Sequence, residues 1–566
     1  MKKYFQYLFS ILEKSEKITI FLTGIFAIIA AVFETVNISA LIPLINSIIN
    51  PTKDIFENNE YLFFLDNLFS ENSTLNYLII FLVIFLIKVI YLVIFNWVIL
   101  NFLKKVERRV TNNLFKLYLS QSLSFFFKKK TSEILRNLTN EIAIFRGAIQ
   151  DAIELFAEVI LLIFILSLLI VVNFKATFII FVFVSFVSFI YINLTKKKIS
   201  KWAKDRIFYV NKYYQNVLQT FRLITEIKIF NVSNIFLDRN FENIKNLTNI
   251  IHFRSFIKIL PKLILETVGV IFFVLIIYIL ISSNANLNDI LITLGVFMAS
   301  SIRIISSSNK LLVIYQQIKN SIPSLKIMNN ELSLANNNVV KINLIKLDKD
   351  IELQNVNFNY SNNLIFENLN LEIKKNTCIG IFGKSGQGKS TLIRLLSTLI
   401  KPNSGNIIVD GKKLSQEDFL NISIIPQEFN FFEGSIKENI TFTNNDSSIN
   451  YERLKKSINF TDLENSIFQK NNTTIDTKLN DELKNFSGGQ LQRIALSRAI
   501  YKDSDLLILD EATSALDEES ENEIMNLITS LKKEKTIIII SHNHENFKNC
   551  DRVYEIKNKK IILHDK

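Results

Sequence analysis

Apolar positions are spread unevenly along the chain. They crowd into long runs over the first 330 residues, then alternate with polar positions in short segments to the C-terminus. Six runs, near 18–45, 75–100, 152–173, 176–194, 257–282 and 287–308, approach or exceed the roughly 20 residues with which a helix crosses a bilayer. One such run also suits a buried helix of a soluble protein, but six in one half of a chain predict a membrane-embedded helical bundle. The first run is longer than the apolar stretch of a secretory leader, contains Glu34 and lacks a small-residue cleavage pattern, so it is expected to remain as a span.

Charge between the runs orients the bundle. Residues 103–148 carry ten Lys/Arg against three acids and residues 195–256 twelve against four. By contrast, 50–74 holds Lys53 against Asp54, Glu57, Glu60, Asp66 and Glu71. The basic stretches mark the cytoplasmic side, which puts both termini inside. Both read as helical, so the spans are expected to run on into the cytoplasm and turn at tips near 118–127 and 212–222, with Phe125, Phe126 and Tyr214 as coupling candidates. Residues 1–12 suit an amphipathic helix at the inner surface, and 55–69 a second on the outer face. An Asn-rich linker over 321–346 then separates the membrane region, 1–320, from residues 347–566, whose alternating strands and helices read as a soluble α/β domain.

Composition excludes several classes. Of 566 residues, 49% are hydrophobic and 21% charged, too apolar for disorder. Two cysteines, Cys378 and Cys550, rule out a disulfide scaffold and read as free thiols in a reducing cytoplasm. The net charge of +12 invites a nucleic-acid reading. Because the basic residues lie between apolar runs, no nucleic acid is expected as a partner.

The C-terminal region carries the chemistry. Gly383-Lys384-Ser385-Gly386-Gln387-Gly388-Lys389-Ser390-Thr391 follows the apolar strand Cys378–Phe382 and opens a helix, the context of a phosphate-binding loop. Glycines let successive N–H groups converge on phosphate oxygens at a helix's positive end. Lys389 would reach the β- and γ-phosphates, and Ser390 would bind Mg²⁺. A second apolar strand, Leu506–Leu509, ends in Asp510-Glu511. Asp510 is suited to hold Mg²⁺, and Glu511 to act as general base on water. Between them Phe486-Ser487-Gly488-Gly489-Gln490 forms another glycine turn at a helix start. Five of the thirteen glycines fall in these two turns, a concentration that ordinary turn-making does not explain.

With these motifs in this order, the chain resembles an ABC exporter half-transporter, a six-helix membrane bundle fused to an α/β P-loop nucleotide-binding domain. The resemblance implies ATP and Mg²⁺ as cofactors and extends to Gln427 as the Q-loop residue, to Ser514-Ala515-Leu516-Asp517 as the D-loop and to His542 after the strand Thr536–Ile540. It implies that Tyr360 stacks on adenine, that Gln427 joins Ser390 and Asp510 at the metal, and that His542 contacts the γ-phosphate. It also implies a homodimer, in which Lys389 and Asp510 face Ser487 and Gly489 of the partner subunit across each ATP. Two departures from the family pattern stand out. Phe486 replaces the usual Leu, and Thr477–Glu482 lacks the glycines common in exporters.

For the cargo, Lys88, Lys262, Arg303 and Lys310 lie in or beside the spans. Cations there either pair with acids, for which Glu34, Glu154, Glu158 and Glu266 are available, or face a wet cavity. A basic cavity suits a phosphate-bearing lipid. With the first-span stretch from Phe33 to Leu44, it is similar to bacterial lipid-linked oligosaccharide flippases of the inner membrane. Pairing with acids would instead favour an exporter of drugs, other lipids or peptides. An ATP-gated channel that transports nothing is the reading from a different class, and Glu511 and His542 weigh against it. A self-processing peptide exporter is disfavoured because no protease domain precedes the first run. An importer is disfavoured by the fused architecture.

Overall fold

The computed structural model describes residues 1–49, 73–282, 287–333, 343–360, 363–415, 418–471, 473–479, 486–513 and 518–564. The chain divides into two compact units, Met1–Gln121 with Phe126–Val339, and Ser122–Phe125 with Val340–Lys566.

In the first unit the uninterrupted Ile-, Leu- and Phe-rich runs form long helices: Lys14–Ser39, Ser73–Leu119, Ile142–Val172, Phe174–Arg222, Ser233–Ser282 and Leu287–Ser333. Among the described residues four stretches are long and apolar enough to cross a membrane: Lys14–Ile45, Tyr77–Leu119, Thr131–Val172 and Phe174–Arg222. The other two expected runs lie in Ser233–Ser282 and Leu287–Ser333, which meet around residues outside the described set. Helices of 47 to 50 residues are about 70 Å long at 1.5 Å per residue. That is more than twice a bilayer core of about 30 Å, so they continue well beyond it. The unit's core includes Ala31, Ile165, Leu169, Phe272, Val296 and Phe297. Phe21, Trp97 and Phe189 are among many apolar side chains left exposed, as a lipid-facing surface requires.

Three expectations change here. The linker expected from residue 321 begins as helix: Leu287–Ser333 runs on because Leu325 and Met328 bury completely on its inner face. The second tip, expected at 212–222, lies later. Phe174–Arg222 ends at Leu223, and the short helix Ile224–Ile229 makes the turn into Ser233–Ser282. Tyr214 accordingly sits within a helix, its hydroxyl accepting from Asn140 Nδ2 at 2.9 Å. The N-terminal helix Lys2–Ile11 is amphipathic as expected, but its buried face packs on protein. Tyr4 is fully buried and donates to the Ala148 carbonyl, and Ser10 donates to Asn329 at 2.7 Å. The expected outer helix over 55–69 lies outside the described residues.

The second unit is built on two sheets. Five strands run parallel in the spatial order Arg552–Lys557, Cys378–Phe382, Thr536–Ile540, Leu506–Asp510 and Ile422–Ile425, with Lys560–His564 antiparallel at one edge. A parallel strand covered on both faces must be apolar throughout, and all five residues of Thr536–Ile540 are buried. A four-stranded antiparallel sheet, led by Asp350–Tyr360 and Asn363–Lys374, forms the second layer. Leu392, Ile393, Leu395 and Leu396 of the helix Lys389–Leu396 fill the core shared with that layer. Helices Gly488–Tyr501 and Glu518–Ser530 contribute to the core on the opposite side. Cys378 and Cys550 are free thiols, both buried, with sulfurs 3.2 Å apart.

Candidate functional site

The parallel sheet brings the ends of Cys378–Phe382, Thr536–Ile540, Leu506–Asp510 and Ile422–Ile425 to one edge, where open α/β sheets bind ligands. Cys378–Phe382 leads into a turn in which Gly386 has φ +82° and Gly388 φ +109°. At Gly388 a Cβ would lie 2.8 Å from Ile365 and 2.9 Å from Phe366, so only glycine fits. The turn delivers Lys389 and Ser390 into the first turn of their helix, where Lys389 is buried and Ser390 exposed. Lys384 N–H donates to Gln387 Oε1 at 3.0 Å, fixing the loop on itself. Thr391 is buried in the helix, while Lys384 and Ser385 are exposed.

Four of the expected residues meet here. Lys389 Nζ lies 3.0 Å from the Gly383 carbonyl, 2.8 Å from Glu511 Oε1 and 2.7 Å from His542 Nε2. The ammonium thus has an oxygen or nitrogen neighbour within 3.0 Å on three sides. Glu511 Oε1 is also 3.0 Å from His542 Nε2, and Gln427 Nε2 donates to Glu511 Oε2 at 3.2 Å. Glu511 adopts φ +50°, a left-handed backbone that costs a non-glycine residue about 1–3 kcal/mol and clusters at functional sites. Its N–H is held by the Ile540 carbonyl at 2.9 Å. Beside it, burial first and the Glu511 carboxylate second raise the Asp510 carboxyl above its usual range, with Lys389 and Arg394 opposing. One carboxylate at a strand end plus an exposed serine hydroxyl fits Mg²⁺, which keeps waters and phosphate oxygens rather than an all-protein cage.

The other expected residues lie on separate elements. Ser487 caps the helix Gly488–Tyr501, its hydroxyl accepting from Gln490 N–H at 3.3 Å while Gln490 Oε1 accepts from Ser487 N–H at 2.9 Å. This capping box leaves Gly488 and Gly489 at the helix's positive end. Phe486, in place of the usual Leu, packs on the apolar cluster containing Ile436, Ile440, Leu479 and Ile494. Tyr360 ends its strand with its ring edge-on to Phe358, centroids 4.8 Å apart, and accepts a bond from Arg394 at 3.1 Å. Asp517 and the rest of 514–517 lie outside the described residues.

Sequence reading missed Arg394 and Arg498. The Arg498 guanidinium bonds the Asn439 carbonyl at 2.8 Å and the Asn430 carbonyl at 3.2 Å, and lies 4.9 and 4.6 Å from the ring centroids of Phe431 and Phe442. It thus ties the helix that starts at Gly488 to the segment following Gln427. The only sequence cue is its position two turns past Gln490.

The four candidate cavity cations, Lys88, Lys262, Arg303 and Lys310, all meet acids, which corrects the expectation of an open basic chamber. Lys310 pairs with Glu158 at 2.8 Å, and Lys262 with Glu266 at 3.8 Å. Lys88 and Arg303 share Glu34, at 3.2 and 3.3 Å, leaving one net positive charge. Buried charge in a low-dielectric region is costly enough that pairing is the expected outcome. The unit also holds an apolar cavity of about 350 Å³, lined among others by Leu155, Leu162, Val184, Ile304 and Leu312, with Ser185 and Ser308.

Comparison with known proteins agrees with this layout. Residues 18–307 match the ABC transporter transmembrane region and residues 366–514 the ABC transporter domain. The chain is similar to the alpha-hemolysin translocation ATP-binding protein HlyB of Escherichia coli O157:H7, 38% identical over 221 residues, 38% of this chain and 31% of that protein. It is similar to the ATP-dependent lipid A-core flippase of Ralstonia nicotianae, 32% identical over 223 residues, 38% of this chain and 37% of that one. With ABC transporter B family member 1 of Dictyostelium discoideum it shares 27% identity over 509 residues, 85% of this chain and 53% of the relative. The chain thus spans about a third to a half of the length of these three relatives. The membrane-region match covers more than half of the 566 residues, and the chain belongs to the ABC transporter family.

Proposed function

We propose that the chain is a half-transporter that couples ATP hydrolysis to the export or flipping of an amphipathic substrate. It works as a homodimer in a bacterial inner membrane, with six spans per copy and both termini cytoplasmic. Residues 1–320 form the membrane domain, and 347–566 the ATP-binding cassette. The observation that carries this reading is the meeting of Lys389, Gln427, Glu511 and His542 at one edge of the parallel sheet, with contacts of 2.7 to 3.2 Å.

In this reading Glu511 accepts a proton from the attacking water, and Gln427 and His542 hold its carboxylate in place. Lys389 exchanges Glu511 and His542 for phosphate oxygens, which frees the base as nucleotide enters. Bound Mg²⁺ would neutralise charge on the phosphate oxygens, and Ser390, Asp510 and Gln427 are the groups that would hold it. Tyr360 would stack on the base. One chain offers one phosphate cradle and one signature turn, so each nucleotide needs Ser487 of the partner subunit and the Gly488–Gln490 turn of the partner subunit. Purified Glu511→Gln is expected to bind ATP with near wild-type affinity and hydrolyse it at least about a hundredfold slower, the lower end of what loss of a general base costs. Wild-type turnover would sink the assignment.

The finer reading of the substrate is an anionic lipid, at its most specific a pyrophosphate-linked oligosaccharide lipid. The surplus positive charge around Glu34 supports it, as does an apolar cavity with room for an aliphatic chain. A relative named for lipid A-core flipping points the same way. The one-to-one pairing of Lys262 and Lys310 favours the second reading, an exporter of drugs, other lipids or peptides.

A further inference from the structure

Three helices of the membrane unit meet at one carboxylate. Glu34 lies on Lys14–Ser39, Lys88 on Ser73–Leu119 and Arg303 on Leu287–Ser333. Lys88 Nζ faces Glu34 Oε2 at 3.2 Å, and Arg303 Nε faces Glu34 Oε1 at 3.3 Å, so each oxygen serves one cation. The Lys88 and Glu34 side chains are 11% and 12% exposed, and Arg303 is more open at 29%.

Three features separate this triad from an ordinary structural ion pair. It is unbalanced, with two cations on one carboxylate, whereas Lys262–Glu266 and Lys310–Glu158 cancel one to one; Arg136 and Arg206 share Glu141 in the same ratio but also donate to Asn137 and Ser324. Its contacts are also loose. Arg303 Nε is buried and makes no aligned hydrogen bond despite its nearness to Glu34. Finally, the Ser300 and Ser307 hydroxyls, one helical turn to either side of Arg303, are buried without partners. Residues three or four apart share a helix face, so these groups line up with the triad. Two cations on a single carboxylate, with two unpartnered hydroxyl donors nearby, call for an anion with more oxygens than Glu34 supplies.

We infer that Glu34 is an internal counter-ion which an anionic headgroup of phosphate type displaces from Lys88 and Arg303. This rests on the reading of the membrane unit as a carrier of an anionic amphiphile, and it adds what sets the affinity. The net charge of the triad decides binding, and Glu34 competes with the ligand. A phosphate accepts a fork of bonds from Arg303 and a point charge from Lys88, and its further oxygens reach hydroxyl donors that Glu34 leaves idle. The device keeps two cations neutral enough to stay in a bilayer when no ligand is bound.

The test measures binding of hexadecyl phosphate to the full-length protein in nanodiscs, against hexadecyltrimethylammonium and hexadecanol. Lys88→Gln brings the triad to zero net charge and is expected to weaken hexadecyl phosphate by about tenfold or more, the worth of one charge-assisted bond. Glu34→Gln with Lys88→Gln returns the net charge to +1 and is expected to recover affinity to within a few-fold of wild type. Glu34→Gln alone should tighten binding if it folds. The double variant carries the test if it does not, since it leaves no uncompensated pair of cations. A double variant as weak as Lys88→Gln would mean that Glu34 and Lys88 form a structural staple, and would overturn the inference alone. Wild type that ignores hexadecyl phosphate, or prefers the ammonium probe, would overturn the anionic reading and this inference with it.

Discussion

Lys389 Nζ lies within 3.0 Å of Gly383, Glu511 and His542, so the nucleotide site holds these groups in a closed set. Asp510 beside it is the exception. Its carboxyl is pushed above the ordinary value of 3.8 by burial and by Glu511. A folded-state pKa above the unfolded one means that ionisation costs stability as pH rises through the raised value. Asp510→Asn removes that cost. The full-length variant without nucleotide is expected to melt above wild type at pH 8, with a smaller gap at pH 5. A gap that shrinks or reverses as pH rises would contradict the burial argument. The site is therefore expected to lose stability to function at this residue.

At the scale of elements, Arg498 joins the helix Gly488–Tyr501 to residues 430–442 through two carbonyls and two aromatic rings. Arg498→Ala should cost about 1–3 kcal/mol locally. Hydrogen exchange is expected to show amides over 430–442 losing protection while the central strands keep theirs, and unchanged protection would remove the tie. Which elements were legible follows from how local their cause is. Cys378–Phe382 and Thr536–Ile540 match their sequence ranges because an apolar run bounded by polar turns specifies a buried parallel strand by itself. The phosphate loop was legible because its glycines have a backbone reason, seen at Gly388. The continuation of Leu287–Ser333 was not, since Asn-rich composition hid the burial of Leu325 and Met328. Nor were the partners of Lys88, Arg303 and Lys310, because Glu34 and Arg303, for example, are 269 positions apart and no local pattern pairs them, as the i,i+4 spacing does for Lys262 and Glu266.

For the whole molecule, the account joins an ATP-hydrolysing unit to a helical bundle whose length exceeds a bilayer. Within that bundle Lys88 and Arg303 share the single carboxylate of Glu34, so the cargo is expected to be an amphiphile rather than a soluble ion. The central claim is that hydrolysis at Glu511 moves such a molecule between leaflets. It is tested most directly by ATP-dependent translocation of a lipid-linked oligosaccharide in proteoliposomes, with Glu511→Gln as the blank and a fluorescent phospholipid and a cationic dye run in parallel. The account predicts ATP-dependent movement of at least one amphiphile by wild type, the anionic lipid foremost, and none by Glu511→Gln. Undiminished ATP hydrolysis with no movement of any of the three, or equal movement by Glu511→Gln, would contradict it.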